Sequence, residues 1–323
     1  MSEVSEPRWV TPEQLRASGW SRAQLRAAIR GRAYTQGVRG LWLPTDAAED
    51  LYQRCARALA TQRADAAISH ETAAVIREFA WLPEAWRSPC RDIDITVARD
   101  DLTRSSRQGI HRRIAELPPQ DVVLWRGLRV TSPARTAVDL ARFEKSRLFA
   151  VQLLDGVLRI QHCTRDEMIA VLDRMIRVPW VRRARERVEL SREGVDSPPE
   201  TTVRLSIVDA GLPQPDVNLQ LFSDGILLAQ GDLGYWRWLI WIEYDGEEVH
   251  DPLRLAGKDQ QKDRRLGMRG WETFRLTKLD VRSPGAFLRE LSLAIDEGPR
   301  RVAALNPARS SEVREAQRLL AQQ

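Results

Sequence analysis

Three carboxylates at the end of an apolar hairpin are the residues of this sequence best placed to do chemistry. They lie in "DLGYWRWLIWIEYD", residues 232–245, where Asp232 opens the segment and Glu243 and Asp245 close it. With a turn centred between Arg237 and Trp238, Asp232 and Glu243 are equally far from the centre and face each other, their Cβ atoms about 5 Å apart. Side chains two residues apart on a strand share a face, so Asp245 joins Glu243. Like charges so placed repel unless a proton or a cation sits between them. Carboxylate oxygens at this spacing suit Mg²⁺ or Mn²⁺, and such ions favour phosphate substrates. Plainer readings exist for two of the acids: Asp232 as a strand-end residue held by a turn, and Asp245-Gly246 as a turn dipeptide. Glu243 sits between Ile242 and Tyr244 within an apolar strand and needs a partner.

The elements around these acids predict a small α/β unit. In "SPPETTVRLSIVDAGLPQP", Ser197 caps a helix, Pro198 and Pro199 occupy its first turn, and Gly211 with Pro213 ends it. Glu200 stands at the capping-box position, which explains it as well as a site role does. There follow the strand "DVNLQLF", a turn at Ser223-Asp224-Gly225, the apolar "ILLAQGDLGY" and the second arm of the hairpin. A polar helix from about Leu255 to Arg269, the strand "ETFRLT" and a last helix capped at Ser283-Pro284 complete the order α-β-β-β-α-β-α. Helices flanking a short mixed sheet indicate an α/β sandwich of about 120 residues.

Arginine is the second candidate functional residue. From Gln14 to Thr45 there are six arginines and no acid, a basic patch that suggests a polyanionic partner. Thr11 with Pro12 starts one short helix and Ser21 with Gln24 starts another, while Gly31 stops it. Strand-like "AYT" and "LWL" follow, so the segment predicts a helix-turn-helix with a β wing. Arg22, Arg26 and Arg30 recur every four residues and form one stripe, able to lie along DNA phosphates; Arg39 belongs to the same patch. The plainer reading is a solvated arginine-rich surface.

Between these ends the pattern is mixed and points to no chemistry. "SHETAAVIREFAWLP" predicts a helix, "DIDITVA" a strand, and "RGLRVTSPARTAVDLAR" a strand, a turn and a helix. His70 and His111 stand singly, the pattern of packing or surface residues. Residues 150–196 are helical and end at the linker "VRRARERVELSREG". The 323 residues exceed one compact core. The polar start at Met1–Pro7, the lack of a long apolar run and three widely spaced cysteines predict a cytoplasmic protein with reduced thiols, no signal peptide and no membrane span.

Two resemblances sharpen this reading. Leu15, Gly19, Ser21, Leu25, Gly31 and the ending Arg39-Gly40-Leu41-Trp42 resemble the N-terminal winged helix of abortive-infection type IV antitoxins (AbiEi-like). "SHETAAV" and "GLRVTSPARTAVDLA" resemble the segment that follows it in that family. Residues 197–296, with Glu243-Tyr244-Asp245-Gly246, His250 and the pattern GW-x-x-x-R-x-T from Gly270, resemble the restriction-endonuclease-like PD-(D/E)XK superfamily, in its very-short-patch-repair branch.

The second resemblance implies Asp232 and Glu243 as metal-binding acids, Glu200 as the acid of the first helix, and Asp245 where that superfamily usually has lysine. A carboxylate cannot supply positive charge, so His250, Lys258 or Lys262 would have to replace the lysine. The expected organisation is therefore a winged helix-turn-helix at 1–46, a middle α+β region with a linker helix at 47–196, a restriction-endonuclease-like mixed sheet flanked by helices at 197–297, and a polar tail at 298–323. The leading expectation is a DNA-binding defence or toxin–antitoxin protein that hydrolyses phosphodiesters with Mg²⁺ or Mn²⁺. The alternative is a non-catalytic transcriptional regulator or antitoxin that keeps a degenerate nuclease fold. DNA is the partner in both, and the antitoxin resemblance adds a cognate toxin.

Overall fold

The computed structural model describes residues 12–31, 34–38, 41–44, 50–62, 64–88, 91–98, 109–223, 226–245 and 261–305. It is a mixed α/β structure that divides into two units, one of residues 1–143 with 162–185, the other of residues 144–161 with 186–323.

In the first unit, helices α1 (Pro12–Ala17) and α2 (Arg22–Arg30) precede an antiparallel hairpin of β1 (Tyr34–Val38) and β2 (Leu41–Pro44). Ser21 and Gln24 cap α2 reciprocally: the Gln24 N–H donates to Ser21 Oγ at 3.2 Å and the Ser21 N–H to Gln24 Oε1 at 2.9 Å.

A five-stranded mixed sheet follows, built from β3 (Ala67–Ile68), β4 (Ile93–Val97), β5 (Ile110–Ile114), β6 (Val122–Trp125) and β7 (Leu128–Thr131) in the order β5-β4-β3-β7-β6. Every residue of "IDITV" in β4 is buried, as expected for an interior strand covered on both faces. Its core includes Ile93, Ile95, Val97 and Val130 with Cys55 of α3 (Leu51–Ala60) and Ala73 of α4 (His70–Ile76). Helix α5 (Pro133–Phe143) packs on α4 and on α7 (Arg165–Arg174).

The second unit contains α6 (Arg147–Arg159) packed on α9 (Pro198–Asp209), so the residues before 197 contribute to it as well as those after. Helix α8 (Val181–Leu190) crosses the divide between the units after Arg185. Strands β8 (Asp216–Ser223), β9 (Ile226–Tyr235), β10 (Ile240–Tyr244) and β11 (Glu272–Leu276) form a mixed sheet in the order β11-β10-β9-β8.

Both faces of that sheet are covered. Ile240 and Ile242 pack with Val203 and Ile207 of α9 and with Phe287 and Leu291 of α12 (Gly285–Ala303). Trp241 points the other way and packs with Trp271 and Leu266, the latter from α10, helical over residues 261–267. That alternation is the period-2 pattern of a strand, read here with apolar residues on both sides. The order of elements from α9 onward follows the sequence expectation, with three local differences. A short helix, α11 (Lys278–Arg282), precedes the last one and has its own Thr277–Asp280 capping box. The last helix is capped at Pro284 without a side-chain bond from Ser283, and it continues to Ala303, past residue 297. The capping box at α9 is one-sided: Ser197 Oγ donates to Glu200 Oε1 at 2.6 Å, and no cap bond reaches back from the Ser197 side chain.

Candidate functional site

The hairpin register places the acids as the arithmetic of the sequence predicts. Ile240 pairs with Tyr235, Trp241 with Gly234 and Ile242 with Leu233, so the next positions along are Glu243 and Asp232. Asp232 Oδ2 accepts the Tyr244 N–H at 2.7 Å, closing the strand end. Glu243 is only 7% exposed. Its Oε1 accepts the Trp241 indole N–H at 2.6 Å and pairs with the ammonium of Lys262 on α10. Trp241 takes that position because residue 231 is glycine: a Cβ there would lie 2.4 Å from the indole ring.

A cation to which the sequence assigns no role completes the cluster. Arg275 on β11 lies in parallel register beside Glu243. Its guanidinium is 3.5 Å from Glu243 Oε2, 3.3 Å from Asp245 Oδ2 and 2.9 Å from Asp263 Oδ1. Arg275 is the arginine of the GW-x-x-x-R-x-T pattern, so its signal was on view; what was missing was the strand pairing that aims it. Asp263 gave no signal, being one polar residue on a polar helix.

Burial raises the pKa of Asp232; the Tyr244 N–H opposes the rise, and the negative charges of Glu243 and Asp245 add to it. Burial likewise raises Glu200, against the bonds from Ser197 and the Asp196 N–H, and the charge of Asp232 adds a smaller push. The structure thus brings Asp232, Glu243, Asp245 and Lys262 together, with Glu200 near enough to feel Asp232. His250 and Lys258 lie outside the described residues.

The implied divalent ion does not fit the acids as they stand. Glu243 is engaged by Lys262, Trp241 and Arg275, and Asp245 by Arg275. Among the described residues, no group of three or more His, Cys, Asp or Glu side chains is arranged to hold a metal ion. An ion at Glu243 would have to displace Lys262.

On α2, Arg22, Arg26 and Arg30 are all exposed, with no acid in the first turn. Arg39 lies outside the described residues.

A second charged cluster lies in the first unit, where the sequence showed no chemistry. Buried Arg135 donates from Nε to Asp139 Oδ2 at 2.8 Å and from Nη1 to Asp121 Oδ2 at 2.8 Å. Asp139 Oδ1 accepts from Arg142 at 2.7 Å, and Asp121 Oδ1 from Arg174 at 2.5 Å. Burial pushes the Asp139 pKa up, but His70, Arg135 and Arg142 outweigh it and hold the carboxyl below its usual range. His70 is buried in a left-handed conformation, with its pKa pushed down to about 3 mainly by burial. His111 is half exposed, 3.0 Å from buried Asp94. The two single histidines are thus one packing residue and one surface residue.

The stretch holding this cluster is the one that comparison with known proteins picks out. Residues 79–190 match the family described as AbiEi antitoxin C-terminal domain. The match covers a minority of the chain. Among curated proteins the chain is similar to the "Uncharacterized protein Rv2248" of Mycobacterium tuberculosis, at 27% identity over 171 residues, which is 53% of this chain and 63% of that protein. A counterpart from a second strain of that organism, "Uncharacterized protein MT2308", matches to the same extent. The chain therefore spans less than two thirds of these relatives. Among solved structures, the RV2827C protein from Mycobacterium tuberculosis aligns with a TM-score of 0.40 and 20% identity, covering 57% of this chain and 72% of that one. No described helix is long and apolar enough to cross a membrane.

Proposed function

We propose that the protein is a DNA-binding regulator of the toxin–antitoxin type, working in the cytoplasm with a cognate toxin as partner. The match of residues 79–190 to an antitoxin domain carries this reading. On it, α1, α2 and the β1–β2 hairpin form a winged helix whose exposed Arg22, Arg26 and Arg30 contact phosphates of duplex DNA. The sheet of the second unit serves as a restriction-endonuclease-like scaffold without catalysis, and the ion pairs of Glu243 with Lys262 and Arg275 support that role. Glu243 and Asp245 already have cationic partners, so these two acids need no added ion.

The test is binding to duplex DNA from upstream of the protein's own gene, followed by fluorescence anisotropy over a range of salt. Replacing Arg22, Arg26 and Arg30 together with alanine should weaken binding and reduce the salt slope by about 0.9 for each phosphate no longer neutralised. Unchanged affinity and slope would remove this surface from consideration.

A second reading, metal-dependent phosphodiester hydrolysis, has one observation in its favour: Lys262 stands beside Glu243 and supplies the positive charge that Asp245 does not. On this reading Mg²⁺ or Mn²⁺ would have to displace Lys262 from Glu243 and bind there with Asp232 and Asp245, and it should raise the melting temperature because it binds only the folded state. Glu243→Gln should abolish that rise, and Asp232→Ala should abolish any cleavage of plasmid or single-stranded DNA that EDTA also stops. DNA left intact with both metals sinks this reading and leaves the regulator.

A further inference from the structure

The buried arginine–aspartate cluster of the first unit has a consequence at the surface. Arg142, tied to Asp139 at its Nη1, turns its other two nitrogens outward onto the Pro179 carbonyl at 3.1 and 3.0 Å. Arg183 in turn donates to the Arg142 carbonyl at 3.1 Å. Asp121, on the far side of Arg135, holds Arg174 at the end of α7. The turn that joins α7 to α8 is therefore strapped to the buried cluster at both ends.

That turn presents an unusual surface. Trp180 is 59% exposed and Ile176 is 78% exposed, although both are large and apolar. Arg177 and Trp180 both adopt positive φ, 58° and 64°, a conformation that bulky residues take only when their surroundings impose it. The guanidinium of Arg183 lies 4.8 Å from the Trp180 ring centroid and, being anchored to Arg142, holds the ring in place. From Arg174 to Arg185 there are five arginines and no acid. Arg174 and Arg185 are engaged by Asp121 and Asp173, while Arg177 and Arg182, three residues before and two after Trp180 in the chain, are exposed.

A fixed aromatic ring flanked by arginines is what an unpaired base and its adjoining phosphates require: the ring stacks on the base and the guanidinium groups take the backbone charge. A protein partner would call for a broader apolar patch than one tryptophan and one isoleucine. We propose that the α7–α8 turn binds a single nucleic-acid strand, with Trp180 stacking on a base and Arg177 and Arg182 meeting its phosphates. The arginine face of α2 addresses a duplex, so the two surfaces are separable.

The experiment uses the full-length protein and short fluorescein-labelled strands of oligodeoxythymidine and oligouridine, with a duplex as the third probe, read by anisotropy. Trp180→Ala should weaken single-strand binding by about tenfold, the scale of removing one base–aromatic stack, and Trp180→Phe should restore most of it. Arg177→Glu with Arg182→Glu should weaken it further and lower its salt slope. The thymidine and uridine arms decide whether the strand is DNA or RNA. The Arg22, Arg26 and Arg30 triple alanine variant should keep single-strand binding even where it loses the duplex. Wild-type affinity for both strands in Trp180→Ala, with melting temperature unchanged, overturns the proposal. Loss of single-strand binding in the α2 variant overturns it too, as does a wild-type protein that binds neither strand, which would turn attention to a protein partner for Trp180.

Discussion

The charged clusters of the two units use the same side chains to opposite effect. In the first unit Asp121 and Asp139 are interleaved with Arg135 and Arg142, and all four are buried. Each of these carboxylates accepts bonds from two arginines. In the second unit Asp232, Glu243 and Asp245 sit at a strand end beside Lys262 and Arg275, and Asp232 is left with a raised pKa. A buried carboxylate surrounded by cations is held ionised, whereas Asp232, raised first by burial and then by the charges of Glu243 and Asp245, is pushed toward its protonated form. The first arrangement ties each carboxylate to two arginines; the second ties Glu243 to Lys262 and Arg275 and leaves Asp232 on the Tyr244 N–H.

The largest expected effect comes from breaking the closed cluster. Asp139→Ala leaves buried Arg135 with Asp121 and the Glu116 carbonyl and buried Arg142 with the Pro179 carbonyl, and removal of one member of a buried ion pair typically costs about 3–5 kcal/mol. Urea unfolding followed by circular dichroism should show the first unit's transition at lower denaturant, and a midpoint close to wild type would mean that water reaches the arginines.

Mild acid should separate the units next. His70 has a folded pKa of about 3 against an ordinary value of 6.5, so between those values the unfolded chain binds a proton that the folded one excludes. Stability of the first unit should therefore fall as pH drops below 6.5, by up to about 1.4 kcal/mol per pH unit. Asp232 and Glu200 work with the other sign. Their folded pKa values are raised, so the folded protein takes up protons before the unfolded chain does and the second unit gains stability as pH falls through them. Thermal melts over a falling pH series should lower the first unit's transition once the pH passes 6.5, and a His70→Asn variant should lose that acid sensitivity.

Glu243→Gln probes the open cluster alone. The glutamine keeps an oxygen for the Trp241 N–H, Lys262 keeps the Gln230 carbonyl and Arg275 keeps Asp245 and Asp263, so the stability loss should be smaller than that of Asp139→Ala. Removing the Glu243 charge should also bring the Asp232 pKa down, which a carboxylate NMR titration reads directly; an unmoved titration would show that burial alone raises it. Smallest of all, the α2 triple alanine variant should change stability by no more than about 0.5 kcal/mol, because its arginines are exposed. A larger loss would make them structural.

Legibility differed between the clusters for a physical reason. The Asp232–Glu243 pairing was readable because a hairpin sets its register at one turn, a few residues away. The Ser21–Gln24 cap was readable because capping acts over three residues. Arg275 stood in a pattern already picked out, yet its place beside Glu243 depends on a parallel pairing across an intervening helix. Arg135, Asp139 and Arg142 looked like the polar face of an ordinary helix. Their spacing puts them on one side of α5, and nothing local says whether that side meets water or other protein.

The sequence by itself determined the local devices: the α2 cap, the arginine stripe, the register of the Trp-rich hairpin and the order of elements from α9 onward. Only the tertiary structure decided which charges meet, since Asp121 reaches Arg174 and Arg142 reaches Pro179 across gaps of 53 and 37 residues. A contact of that kind depends on the packing of elements distant in sequence, and backbone preferences confined to a few neighbouring residues carry no record of it.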